Sequence, residues 1–162
     1  MFSLSAKNLS KRFYRQWVFR DLSFGLDKGE HLLITGSNGS GKSTLMHILA
    51  GQLTPTRGEY RLLNGKRRLD YGEYYRFISW SGPYMDLYAD LTVEEAIRLH
   101  FRFHKPLLPL KDIPTRLHLA KDRHKPLRHF SSGMLHRVKV GLAIFSDSRL
   151  LLLDEATTNM DA

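Results

Sequence analysis

Eight consecutive residues constrain this chain more than any others. Gly36-Ser37-Asn38-Gly39-Ser40-Gly41-Lys42-Ser43 fits the pattern G-x-x-x-x-G-K-[ST] at every fixed position. Glycines let a backbone curl until successive N–H groups point at one anion. A helix starting at the end of the loop adds its positive end. The flanks have the required character. His31 to Thr35 reads as a short buried strand, and Leu45, Ile48 and Leu49 recur at helical spacing until Gly51, where a helix would stop. The pattern predicts a cradle for a phosphate chain built from Gly36 through Ser43, with Thr44 next to it. Lys42 would reach the β- and γ-phosphates and the Ser43 hydroxyl would ligate Mg2+.

A second feature completes the chemistry. Leu150-Leu151-Leu152-Leu153 runs into Asp154-Glu155. A buried strand of this kind delivers its carboxylates to the carboxyl end of a sheet, where ligands bind in open α/β folds. Successive residues point to opposite faces, so the two acids are free to do different work. Asp154 is expected to hold the metal through water, and Glu155 to orient or deprotonate an attacking water.

Around these motifs the chain reads as α/β. Phe2, Leu4 and Ala6 alternate as in a strand, Val18 to Leu26 is a second apolar run, and Asp27-Lys28-Gly29-Glu30 is a turn. Glu59 to Leu63 followed by Asn64-Gly65 predicts a strand ending in a tight turn. Thr92-Val93-Glu94-Glu95 is a capping-box pattern opening a helix with Val93, Ala96 and Ile97 on one face. Pro106, Pro109 and Pro114 interrupt the middle. From Ser131 on, Met134, Leu135, Val138, Leu142 and Phe145 mark another amphipathic helix.

Composition narrows the class further. There is no cysteine among 162 residues, which excludes disulfide scaffolds and thiolate metal sites. No apolar run has the length of a membrane-spanning helix, and the N-terminus lacks a signal-peptide core; a cytoplasmic chain is expected. The net charge of +9 is concentrated between Arg98 and Lys139, where eleven Lys or Arg face two acids, Asp112 and Asp122. Such a face suits an acidic partner, an anionic lipid surface or nucleic acid, or is simply solvated.

Many nucleotide-binding folds share the first two motifs; a third separates them. Phe130-Ser131-Ser132-Gly133-Met134 resembles the signature L-S-G-G-Q of the ATP-binding subunits of ABC transporters, and the rest then lines up. Lys11-Arg12-Phe13 resembles that family's aromatic loop, Thr54 to Glu59 with Asn64-Gly65 its hairpin after the first helix, and Thr157-Thr158-Asn159-Met160-Asp161 its dimer-crossing loop. The resemblance implies a P-loop NTPase fold of ABC type, with a mixed sheet core, an antiparallel β part and an inserted helical subdomain. It implies one domain over 1–162, with a nucleotide-binding core at 1–83 and 140–162 and a basic helical subdomain at 84–139. Phe13 would stack on adenine. Two such domains would pack head to tail, as a homodimer or a pseudo-dimer, with each ATP between the phosphate loop of one and Ser131 and Gly133 of the other. The partner would be a transmembrane transporter subunit, placing the protein on the cytoplasmic face of the membrane. The basic segment would then meet anionic headgroups or an acidic loop in preference to nucleic acid.

The chain also departs from its family. Pro83 stands where the family has a magnesium-binding glutamine, Ser132 and Met134 replace two signature residues, and Ala156 replaces a proline. No histidine follows Asp161, so the family's next strand and its γ-phosphate-contacting histidine are expected to be missing, from a chain that is C-terminally truncated or a naturally shortened relative. The main expectation is an ATPase that powers transport, slow as this short chain alone. The alternative is a regulatory or scaffolding nucleotide-binding module with little or no hydrolysis.

Overall fold

A computed structural model describes residues 1–82 and 85–154. Two compact units divide the chain, Met1–Tyr75 and Arg76 onward.

The first unit is built on a four-stranded antiparallel sheet in the order β2-β1-β3-β4. Strands β1 (Phe2–Phe13) and β2 (Gln16–Asp27) form a long hairpin. Strand β3 (Arg57–Asn64) pairs with the other edge of β1, and β4 (Arg67–Arg68) follows after a tight turn. The expected alternation is present: Phe2, Leu4 and Ala6 are buried on β1, with Tyr60 and Leu62 buried on β3. Asn64 pairs with Arg67 across a turn at Gly65, whose φ of 66° favours glycine. Helix α1 (Lys42–Leu49) buries Leu45, Met46, Ile48 and Leu49, and Gly51 follows its end at φ 75°. The buried Tyr60 hydroxyl donates to the Leu49 carbonyl at 2.8 Å, tying sheet to helix.

One element differs from expectation. His31 to Thr35 forms no strand and is exposed apart from a half-buried Ile34; Leu33 is 84% exposed. An apolar run becomes a strand only where another strand pairs with its N–H and C=O groups. Among the described residues none pairs with this segment.

In the second unit, β5 (Ile78–Ser81) pairs in parallel with β6 (Leu150–Leu153), from Ile78 opposite Leu150 to Ser81 opposite Leu153. A parallel pair needs a long crossover; here it contains the helices. Helix α2 (Val93–His100) starts at the predicted capping box: Thr92 Oγ1 accepts from Glu95 N, and Glu95 accepts from Thr92 N at 2.8 Å. A short α3 (Ile113–Arg116) and α4 (Ser132–Ile144) follow. Val93, Ala96 and Ile97 of α2 pack with Ile113, Leu117, Leu119, Leu127, Phe130, Val138 and Leu142 in one apolar cluster. Strand β6 is less buried than its four leucines suggest: Leu152 is buried, while Leu151 and Leu153 are 41% and 38% exposed.

Candidate functional site

The phosphate loop lies in the first unit. Gly41 is the N-cap of α1, at φ 98° and ψ 10°. A Cβ there would sit 2.4 Å from Val18 Cγ1. Glycine is thus required twice, for the left-handed backbone and for the close approach to β2. No side chain caps α1 and no acid lies in its first turn. The first helical bond runs from Leu45 N to Gly41 O, so the amides of Lys42, Ser43 and Thr44 are left for an anion. Gly36 to Ser40 are exposed, and Ser40 N closes a turn onto Ser37 O at 3.2 Å. Lys42 Nζ donates to the carbonyls of Gly36 and Ser37, both at 2.9 Å. The ammonium therefore already lies across the curled loop.

Phe13 ends β1 and is 45% exposed. Beneath it is Lys11, 8% exposed, whose ammonium donates to Thr54 O at 2.8 Å and lies 5.0 Å from the Phe13 ring centroid. Such a cation supports the ring on one side. Sequence reading gave Lys11 no role of its own, although its i, i+2 relation to Phe13 puts both on one face of the strand.

The second unit carries the remaining described candidates. Asp154 follows β6, and its amide donates to Ser81 O at 2.9 Å. The residue is 9% exposed, and its Oδ2 has no hydrogen-bond partner. A buried carboxylate oxygen without a partner is costly, and a hydrated cation would satisfy it. A carboxylate oxygen is the kind of hard donor that Mg2+ takes, with phosphate oxygens and waters as its other ligands. Ser131 caps α4: its Oγ accepts from Met134 N at 3.3 Å, which leaves the hydroxyl proton free to donate outward. Ser131 is exposed and Gly133 half-buried, so this positive helix end is open. Glu155, Pro83, Ala156 and Thr157 to Asp161 lie outside the described residues. A groove of about 590 Å³ lined by Leu108, Pro109, Asp112, Thr115, Arg116 and Phe145 contains none of the expected site residues.

The basic segment is partly neutralised. Glu94 forms ion pairs with Arg98 and Arg123 at 3.4 and 3.5 Å, Arg128 pairs with Asp90, and Lys125 with Asp122. Among the described residues, Arg102, Lys111, Arg116, Lys121 and Arg137 have no such partner. These five contribute most of the segment's excess positive charge.

Comparison with known proteins agrees with this geometry. The family model described as "ABC transporter" matches residues 19–158. The cytochrome c biogenesis ATP-binding export protein CcmA of Rhizobium meliloti is 35% identical over 98% of this chain and 78% of its own length. The molybdate/tungstate import ATP-binding protein WtpC of Pyrococcus horikoshii is 30% identical over 98% of this chain, which spans 47% of that relative. A solved ATP-binding subunit of an ABC transporter superposes with a TM-score of 0.83 at 29% identity, covering 98% of this chain and 68% of that one. A Pyrococcus furiosus structure at 20% identity, with a TM-score of 0.81, shares the fold. With its phosphate loop, capped signature helix and acid-tipped strand, the chain belongs to the ABC transporter family, as one of its ATP-binding subunits, the ATPases of these transporters.

Proposed function

We propose that this chain binds MgATP in a head-to-tail pair and hydrolyses it to drive a separate membrane subunit. The observation carrying the reading is the phosphate loop, with three uncapped amides, a lysine across its mouth and a glycine required by both its backbone conformation and its packing. Gly36, Ser37, Asn38, Gly39, Ser40 and Gly41 would hold the phosphate chain together with Lys42, Ser43 and Thr44. The purine would lie on Phe13, held in place by Lys11. Mg2+, bound by the Ser43 hydroxyl and, through water, by Asp154, would supply charge neutralisation on the phosphates. Glu155 would orient the attacking water. As that oxygen bonds to the γ-phosphorus, the bond to the β-bridging oxygen breaks, and ADP and phosphate leave. Ser131 and Gly133 of the second copy would donate to the γ-phosphate and close the site.

In this reading a core from 1–83 and 140–162 carries the nucleotide, with a basic helical subdomain over 84–139. On this reading the protein is peripheral on the cytoplasmic face of the membrane. Its helical subdomain faces the membrane subunit and anionic headgroups through the five unpartnered cations.

Trapping the dimer tests the pairing. With Glu155→Gln and MgATP, sedimentation should show dimers. Adding Ser131→Arg should return them to monomers that still bind nucleotide. Dimers that persist in the Ser131→Arg variant would remove Ser131 from the interface.

A further inference from the structure

The β1–β2 hairpin has a second face. The pairs Lys11 with Phe19 and Arg12 with Trp17 differ by one step in register. One extra β2 residue, Val18, is accommodated between them, which is a bulge. Lys11 and Phe13 keep one face of β1. The phosphate loop packs against this stretch of β2, since a Cβ on Gly41 would meet Val18 Cγ1 at 2.4 Å and Phe19 Cδ1 at 3.4 Å. The bulge turns Trp17 to the opposite face, beside Arg12.

There the half-buried indole of Trp17 gathers three guanidiniums. Arg12 lies 5.3 Å, Arg20 4.7 Å and Arg57 5.4 Å from its ring centroid. They come from three adjacent strands, and all three residues are exposed. None forms an ion pair with a carboxylate of the described residues. Elsewhere on the same sheet arginines are matched, as Glu59 serves both Arg61 and Arg68. Asp21, the acid beside Arg20, is turned toward Ser10, whose hydroxyl accepts from its amide at 2.9 Å. Each guanidinium that stacks on a ring keeps its in-plane N–H donors for another acceptor. Three such forks around one indole repel one another until an anion lies among them.

We propose that Arg12, Arg20 and Arg57, ordered by Trp17, form an oxyanion site for a phosphate group, separate from the phosphate loop and on the other face of the hairpin. Phosphate suits the donors: its tetrahedral oxygens accept from several forks at once, and Arg pairs with it in bidentate fashion. Two sources share this chemistry, a soluble polyphosphate and the headgroup of an anionic phospholipid.

The test uses the full chain carrying Lys42→Ala, so that binding at the phosphate loop is weakened in every sample. Its partner sample adds Arg12→Gln, Arg20→Gln and Arg57→Gln, which keep the side-chain stems and remove the charge. One arm titrates inorganic tripolyphosphate by calorimetry. The other sediments the protein with phosphatidylcholine vesicles, with and without phosphatidic acid. Loss of the three charge-assisted contacts should weaken binding by at least roughly tenfold in one arm, and that arm names the source. Arg→Lys at the three positions should restore part of it, since charge remains but the fork is lost. A circular dichroism melt shows whether the triple variant folds; if it does not, Arg20→Gln alone should still weaken the same arm. Binding unchanged in both arms, or absent from both in the Lys42→Ala parent, overturns the proposal. MgATP affinity, measured without Lys42→Ala, should be the same with and without Arg20→Gln and Arg57→Gln; a loss there would merge this cluster with the nucleotide site.

Discussion

At the residue scale, burial decides which charges the chain tolerates. His100 and His104 stack with centroids 4.5 Å apart, and His100 Nε2 meets Ser146 Oγ at 2.9 Å. Burial, then the neighbouring His104, pushes His100 down to about 4, and burial lowers His104. Both groups resist protonation in the folded state and accept it freely when unfolded. The sign follows: the unfolded chain binds more protons, so folding stability is lost as pH falls below the ordinary histidine range toward about 4. The loss levels off once folded His100 also protonates. The melting temperature of the parent should therefore drop between neutral pH and pH 4 more than that of His100→Asn. Equal slopes for the two proteins would show that His100 is not the sensitive group. Only packing shows that this pair is held neutral.

At the element scale, the motifs with a strict local cause were legible, and those that depend on distant pairing were not. The capping box at Thr92 and Glu95 appears as its spacing predicts, because its bonds close within four residues. Ser131 caps α4 for the same reason. The segment His31 to Thr35 had strand composition but finds no ladder. The Trp17 cluster was invisible because the bulge at Val18, which no local pattern announces, sets which residues share a face. Gly58, quoted within the hairpin motif, now has its physical cause. Its φ is 83°, and a Cβ would lie 2.2 Å from the carbonyl oxygen of Asn8, where β1 itself breaks register at φ 50°. Backbone cannot yield as a side chain can. Gly58→Ala should destabilise the fold by about 2–5 kcal/mol, adding left-handed strain to overpacking. Thr92→Ala should cost only about 1 kcal/mol. Urea denaturation of both variants gives the comparison, and a Gly58→Ala cost no larger than that of Thr92→Ala would mean the hairpin relaxes.

At the scale of the whole molecule, charge and chemistry separate. The excess positive charge was legible as a run from Arg98 to Lys139, but the cations free to act were not. Arg123, Lys125 and Arg128 spend theirs on Glu94, Asp122 and Asp90. Reversing Lys111, Arg116 and Lys121 should therefore reduce sedimentation with anionic vesicles in a salt-sensitive way, while reversing the paired set should reduce it less. The opposite ranking would assign the field to the paired arginines. Of the residues proposed to hold nucleotide, the glycine turns of the loop, the helix cap at Ser131 and the strand end before Asp154 were readable as local structure because each is a local pattern. The partnerless Asp154 Oδ2 and the Lys11 support under Phe13 are tertiary facts. Lys42 and Glu155 are proposed to do different work on one ATP. Phosphate release and MgATP affinity, measured together for the parent, Lys42→Ala and Glu155→Gln, decide it. Lys42→Ala should weaken binding by about 1.5–3 kcal/mol for each lost charge-assisted bond, and turnover should fall with it. Glu155→Gln should abolish phosphate release while nucleotide remains bound. Phosphate release that survives Glu155→Gln, or MgATP affinity untouched by Lys42→Ala, would contradict the account.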